Sequence, residues 1–143
     1  ADHVLFYCED IPQVLAECRR VLKNGGRFLC STYGKQHMRE ITDLVQQFHK
    51  EIVLSAEVLY ERFGLENGEN LLAPYFSEIQ MRRYEDAIEI AEAEPLISYI
   101  LSCHGNQNQL LLNQYKEFRE FVSARVADGF HITKEAGIFL CRK

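Results

Sequence analysis

The segment from Asp10 to Tyr33 constrains the fold more than any other. Ile11, Val14, Leu15, Cys18, Val21 and Leu22 recur at helical spacing and define one buried stripe. Asp10 stands where a carboxylate caps the first turn, and Pro12 falls inside that turn, where its missing N–H costs little. Asn24-Gly25-Gly26 then stops the helix, because glycine reaches the left-handed conformation that a C-terminal cap requires. Arg27-Phe-Leu-Cys-Ser-Thr-Tyr33 follows as a short apolar run, the pattern of a strand buried on both faces, as parallel strands in α/β sheets are. Helix, glycine stop and buried strand make half of a βαβ crossover. The fold class expected is α/β.

Downstream, Gly34 and Lys35 break the strand, and the spacing of Met38, Ile41, Leu44, Val45, Phe48 and Ile52 predicts a helix from His37 to Glu51. The stretch to Phe63 is mixed and helical in part. Gly64 to Gly68 reads as a turn into a short helix carrying Leu71, Leu72, Tyr75 and Phe76. Glu78 to Tyr84 alternates at its start and predicts a half-exposed strand, its charges suiting a sheet margin. Residues 87–128 read as a helical block, with Pro95 in a first turn, an apolar stripe of Leu96, Ile97, Ile100 and Leu101, and a polar loop at Gly105. Its last helix spans 107–128 and turns Leu111, Tyr115, Phe118, Val122 and Val126 inward. Lys134-Glu-Ala-Gly predicts a hairpin-like turn before a final strand at Ile138–Cys141. There is no repeat or flexible linker, so one domain over residues 1–143 is the expected organisation.

Composition removes several classes of function. With 143 residues, 47% hydrophobic and 26% charged, the chain is globular in composition, not disordered or disulfide-dense. A net charge of -5 argues against a general nucleic-acid binder. The longest uncharged stretch, Pro95 to Tyr115, is interrupted by His-Gly-Asn-Gln-Asn-Gln, which excludes a membrane-spanning helix there. The opening Ala-Asp-His-Val-Leu-Phe-Tyr-Cys lacks the pattern of a signal peptide, and a cytoplasmic location is expected. Cys8, Cys18, Cys30, Cys103 and Cys141 form no Cys-x-x-Cys pair, so buried free thiols are expected and no metal site. The eight glycines never form a Gly-x-Gly loop.

Val21-Leu-Lys-Asn-Gly-Gly-Arg-Phe28 resembles the segment before the fifth strand of class I S-adenosylmethionine-dependent methyltransferases, with Asn24 in place of the usual proline. Ala1-Asp-His-Val-Leu-Phe-Tyr-Cys-Glu-Asp-Ile11 is similar to the end of that family's fourth strand and the loop after it. Thr32 to Met38, Phe63 to Gly68 and Thr133 to Phe139 resemble its later segments, in the same order. The resemblance implies the C-terminal part of a Rossmann-like methyltransferase fold. A family strand order of 3-2-1-4-5-7-6 would leave a three-stranded mixed sheet of strands five, seven and six, with the helical insertion before the last strand. It implies a parent enzyme that methylates a small molecule, and a chain expected to be inactive alone because the glycine-rich cofactor loop lies upstream in that family. Strand five would lose a parallel neighbour, so a homo-oligomer through the edge of residues 27–33 is expected. A non-catalytic interaction module on the same scaffold is the alternative.

Methyl transfer from a sulfonium is an in-line displacement, for which a protein mainly supplies orientation and a dry pocket. A base is needed only when the acceptor must lose a proton. Ligands of open α/β sheets bind beyond the carboxyl ends of the parallel strands, here Ala1–Val4 and Tyr33–His37. The resemblance therefore implies cofactor contacts from Ala1, Asp2, His3 and Leu5. Candidates for catalysis are His3, His37 and Tyr33, and candidates for acceptor binding are Tyr7, Tyr33, His37, Tyr99 and His104, with Cys103 beside them. Each has a plainer role open to it: His3 in a loop, His37 at a helix start, Tyr7 under the first helix, Tyr99 in a core. Arg19, Arg20, Lys23 and Arg27 complement a helix C-terminus, and Glu89, Glu92 and Glu94 complement a helix start.

Overall fold

The computed structural model describes residues 1–55 and 57–143. Helix α1 (Ile11–Val21) begins where the sequence predicts, the Asp10 carboxylate accepting the Gln13 N–H at 2.8 Å. The chain leaves it through Gly25 at φ +72°, a conformation that costs a residue with a Cβ about 1 kcal/mol or more. Strand β1 (Arg27–Tyr33) follows, then α2 (Arg39–Phe48), α3 (Leu59–Arg62) and α4 (Gly68–Leu72). Strand β2 (Ser77–Ile90), α5 (Ala93–Ser102), α6 (Gln107–Leu111), α7 (Tyr115–Val126) and β3 (Phe130–Arg142) complete the order.

The sheet runs β1-β3-β2. β1 pairs with β3 antiparallel, from Arg27 opposite Arg142 to Tyr33 opposite Ala136. β2 is also antiparallel to β3: Ser77 bonds to Arg142, Arg83 to Glu135 and Glu89 to His131, so one strand descends as the other ascends. The mixed sheet expected from the sequence is corrected accordingly. Among the described residues, parallel pairing is confined to one bridge, Asp2 with Ser31, where the entry segment lies along the other side of β1.

Four boundaries differ from the sequence reading. β1 buries Phe28, Cys30 and Thr32 but exposes Arg27 and Leu29, so it is covered on one face only; its core lies on the Phe28–Cys30 side. β2 continues through Ile88 to Ile90, so residues 87–90 are strand and the helical block starts at Ala93; β-branched isoleucines alternate there with acidic residues. Residues 134–137 are not a turn, since β3 passes through them unbroken. A Cβ on Gly137 would stand 2.7 Å from the Leu65 side chain and 2.9 Å from the Arg82 carbonyl, so that glycine marks close approach within the sheet. Residues 107–128 divide into α6, a 3-10 turn at Leu112–Gln114 and α7.

Two compact units divide the chain. The first comprises residues 1–37, 58–85 and 135–143, with a core that includes Leu5, Phe6, Leu15, Phe28, Phe63, Leu72 and Phe139. Phe139 is fully buried, edge-on to Phe63 at 5.9 Å, and burying such a ring stabilises by about 1.5–3 kcal/mol. The second comprises residues 38–57 and 86–134, with a core around Leu44, Val45, Leu96, Ile97, Ile100, Phe118 and Val122. Among the described residues, no helix is long and apolar enough to cross a membrane.

Candidate functional site

In the first unit, the carboxyl end of β1 is built by the entry segment lying against the strand. The Ala1 nitrogen donates to the Leu29 carbonyl at 2.8 Å, and the Ser31 N–H donates to the Ala1 carbonyl at 2.9 Å. Ser31 Oγ accepts the His3 N–H at 3.1 Å and donates to the Asp2 carboxylate. His3 then adopts φ +48°, a left-handed conformation that costs a non-glycine residue about 1–2 kcal/mol. Such an outlier, held by two strand contacts, is the kind of strain that collects at binding sites. It turns the chain into a 3-10 turn, Leu5–Tyr7, that buries Leu5 and Phe6.

The consequence is a row of rings. His3 stacks on Tyr33 with centroids 6.2 Å apart and planes 15° apart, and Tyr33 meets His37 at 5.1 Å. Phe6 lies 5.2 Å from Tyr33 on the core side. Three residues picked out by the sequence, His3, Tyr33 and His37, thus come together, with Asp2 at the margin, 4.0 Å from His3 Nε2.

The loop after β1 is held by two carboxylates. Glu66 Oε1 accepts the Lys35 N–H at 3.2 Å, and Glu135 Oε2 accepts the Gln36 N–H at 3.1 Å. The other Glu135 oxygen pairs with Arg83. Gly34 lies between them, and a Cβ there would displace the Glu135 carboxylate and sit 2.9 Å from Glu66 Oε1. The Glu135 backbone N–H donates to His37 Nδ1 at 3.2 Å. Since Nδ1 accepts, the neutral ring carries its proton on Nε2, so His37 presents a hydrogen-bond donor there. Glu135, Glu66, Arg83 and Phe6 were not picked out by sequence reasoning. Glu135 had one legible signal: it falls on the inward phase of β3 with Gly137, Phe139 and Cys141.

The remaining candidates sit differently. Leu5 is 1% exposed, so its side chain belongs to the core and only its backbone can meet a ligand. Tyr7 is 66% exposed and edge-on to Phe6. Tyr99, Cys103 and His104 lie in the second unit at the end of α5. There the Tyr99 hydroxyl donates to Met38 Sδ at 3.7 Å, and His104 Nδ1 lies 3.2 Å from the Ser102 carbonyl. Burial, with the nearby Cys103, raises the Tyr99 phenol above its ordinary range, and burial likewise raises the Cys103 thiol. Both groups therefore stay protonated at neutral pH and offer no ready nucleophile. Among the described residues, no group of His, Cys, Asp and Glu is arranged to hold a metal ion. A solvent-open groove whose lining includes Arg27, Glu78, Gln80, Arg82, Leu140 and Arg142 lies toward the amino end of β1, away from the ring row.

Asp2's exposed carboxylate and the aromatic faces of the row suit a ligand that carries a cation beside hydroxyl or amino groups. A comparison with known families bears on the same segment. No curated protein matches the chain. Residues 1–30, which hold Asp2, His3 and the first four residues of β1, are similar to the methyltransferase domain family, and this match supports a methyltransferase domain.

Proposed function

We propose that the chain supplies the carboxyl-terminal strands of an S-adenosylmethionine-dependent methyltransferase acting on a small molecule, contributing part of the cofactor site and the acceptor pocket. The observation that carries this reading is the parallel bridge of Asp2 to Ser31. It sets the start of the matched segment along β1, so the entry segment and the carboxyl end of β1 meet at the ring row, a position that corresponds to the crevice in which open α/β sheets bind ligands. The order β1-β3-β2 with that bridge beside β1 also agrees with the 4-5-7-6 part of the order implied by the family resemblance.

S-adenosylmethionine, when bound, supplies an electrophilic methyl group on a sulfonium. The residues of this chain bind and orient. The ring of Tyr33, backed from the core side by Phe6, suits a cation or a flat ring, and Asp2 suits hydroxyl or ammonium donors. His37 offers its Nε2–H to a polar atom of the acceptor, and His3 is the residue of the row left to take a proton where the acceptor must lose one.

The test is a titration of the 143-residue chain with millimolar S-adenosylhomocysteine, followed by amide chemical shifts. Shifts are expected at residues 1–7 and 33–37, with weak affinity. No shift at these positions overturns the site, and tight stoichiometric binding by calorimetry overturns the view that it is only part of one.

A further inference from the structure

A second feature is independent of any methyl transfer. β2 is an edge strand, and twelve of its fourteen residues are exposed, Tyr84 by 66%. A long open edge is a template for pairing with another chain, and soluble proteins usually blunt it with charged side chains, lysine above all, with proline or with a bulge; the charges of β2 are of both signs, which blunts pairing with most strands but not with a complementary one. β2 contains no Lys, Pro or Gly. On the far side of the sheet, by contrast, edge groups of β1 are taken: Leu29 O and Ser31 N by Ala1, and Tyr33 O by the Leu65 N–H at 3.3 Å.

The charges along β2 are arranged about one residue. Arg82 and Arg83 precede Tyr84, and Glu85 and Asp86 follow it. We infer that the outer edge of β2 joins antiparallel to β2 of a second copy of this chain, with the two-fold axis at Tyr84. In an antiparallel ladder, facing residues must both turn their backbone groups toward the partner or both turn them away. Two copies of one strand can therefore pair only with the axis on a residue. Centring on Arg83 sets Arg83 against itself, on Arg82 sets Arg82 against itself, and on Glu85 or Asp86 sets two carboxylates face to face. Centring on Tyr84 sets Arg82 against Asp86 and Arg83 against Glu85, each twice, with Tyr84 on Tyr84 between them.

Side chains at even positions share one face and those at odd positions the other, so each face gains one type of ion pair. On the odd face, Arg83 already holds Glu135 of its own chain, and Glu85 of the second copy would complete a carboxylate–guanidinium–carboxylate line. Met81 comes opposite Ala87, and Gln80 opposite Ile88. No like charges meet over residues 78–90. Among registers centred on residues 82–86, which pair most of the strand, only this one avoids like-charge contacts, and it brings four unlike pairs together, which is why the occupant inferred is a second copy.

Sedimentation velocity on the full chain tests this. A dimer at micromolar concentration is expected, and Y84K, which puts two ammonium groups on the axis, should make it monomeric. R82D and D86R each turn two attractions into repulsions and should weaken self-association about tenfold or more. Mixed together, they restore every opposite-charge pair between unlike chains, so the mixture should form a heterodimer visible by native mass spectrometry. Wild-type chain that stays monomeric at high micromolar concentration overturns the proposal. So does a dimer indifferent to Y84K, or a mixture of folded R82D and D86R chains that stays apart.

Discussion

Glu135 organises the loop beside the ring row, and its replacement can be worked through quantitatively. Its side chain is 11% exposed and that of its partner Arg83 is 38% exposed. Breaking a fully buried ion pair costs about 3–5 kcal/mol and an exposed one about 0–1, so a pair with a guanidinium this accessible is worth about 1 kcal/mol. The Gln36 N–H, part-buried and bonded to Oε2 at 3.1 Å, loses its acceptor in E135A, which adds about 1–2 kcal/mol. The total for E135A is about 2–3 kcal/mol. E135Q keeps an oxygen for Gln36 and loses only the charge, so about 1 kcal/mol is expected. Urea denaturation read at the amides of β1 and β3 reports these values for this unit by its own probes. A nitrogen-15 spectrum of the imidazoles should show the His37 proton on Nε2 in wild type, with Nδ1 accepting from the backbone. Equal losses in E135A and E135Q would refute the role of the amide–carboxylate bond. A change below about 0.5 kcal/mol in both would show that the carboxylate is solvated and holds nothing.

Two further outcomes are expected. In the second unit, burial disfavours the charged form of Glu40, but hydrogen bonds from the Thr133 hydroxyl and from the Glu40 and Thr133 backbone N–H groups outweigh it and hold the carboxyl below its usual value. A depressed folded-state value gives stability that is present above the unfolded value and lost as pH falls through the folded one. T133V should therefore be less stable than wild type at neutral pH, with the gap narrowing as pH drops through the Glu range; denaturant midpoints against pH measure it, and a constant gap would contradict it. In the first unit, burial raises the Cys30 thiol to about 12 and the Cys141 thiol to about 11. Both should resist a thiol reagent in the native chain at neutral pH while the half-buried Cys8 and Cys18 react, counted by mass spectrometry; equal labelling of Cys30 would refute the assignment.

What the sequence made legible was local. The Asp10 cap, the Pro12 turn and the Gly25 stop are decided within a few residues, and helix α1 and strand β1 lie where those signals put them. His3, Tyr33 and His37 were readable because each sits at the end of a strand-like segment. The failures came where a neighbouring strand decides. Lys134-Glu-Ala-Gly has turn composition, yet it runs as strand because β1 and β2 supply ladder partners on both sides. Residues 85–90 have the acidic content of a helix start, yet they extend β2 along β3. The same error hid Glu135. Read as a turn residue, it was a solvated charge; placed on the inward phase of a strand, it becomes a buried carboxylate that must be partnered, and its partners are the loop carrying His37 and the Arg83 guanidinium. The chemistry of the site therefore depends on a strand that local propensity denies. A charged residue in phase with Gly137, Phe139 and Cys141 is the sign by which such a strand can be recognised.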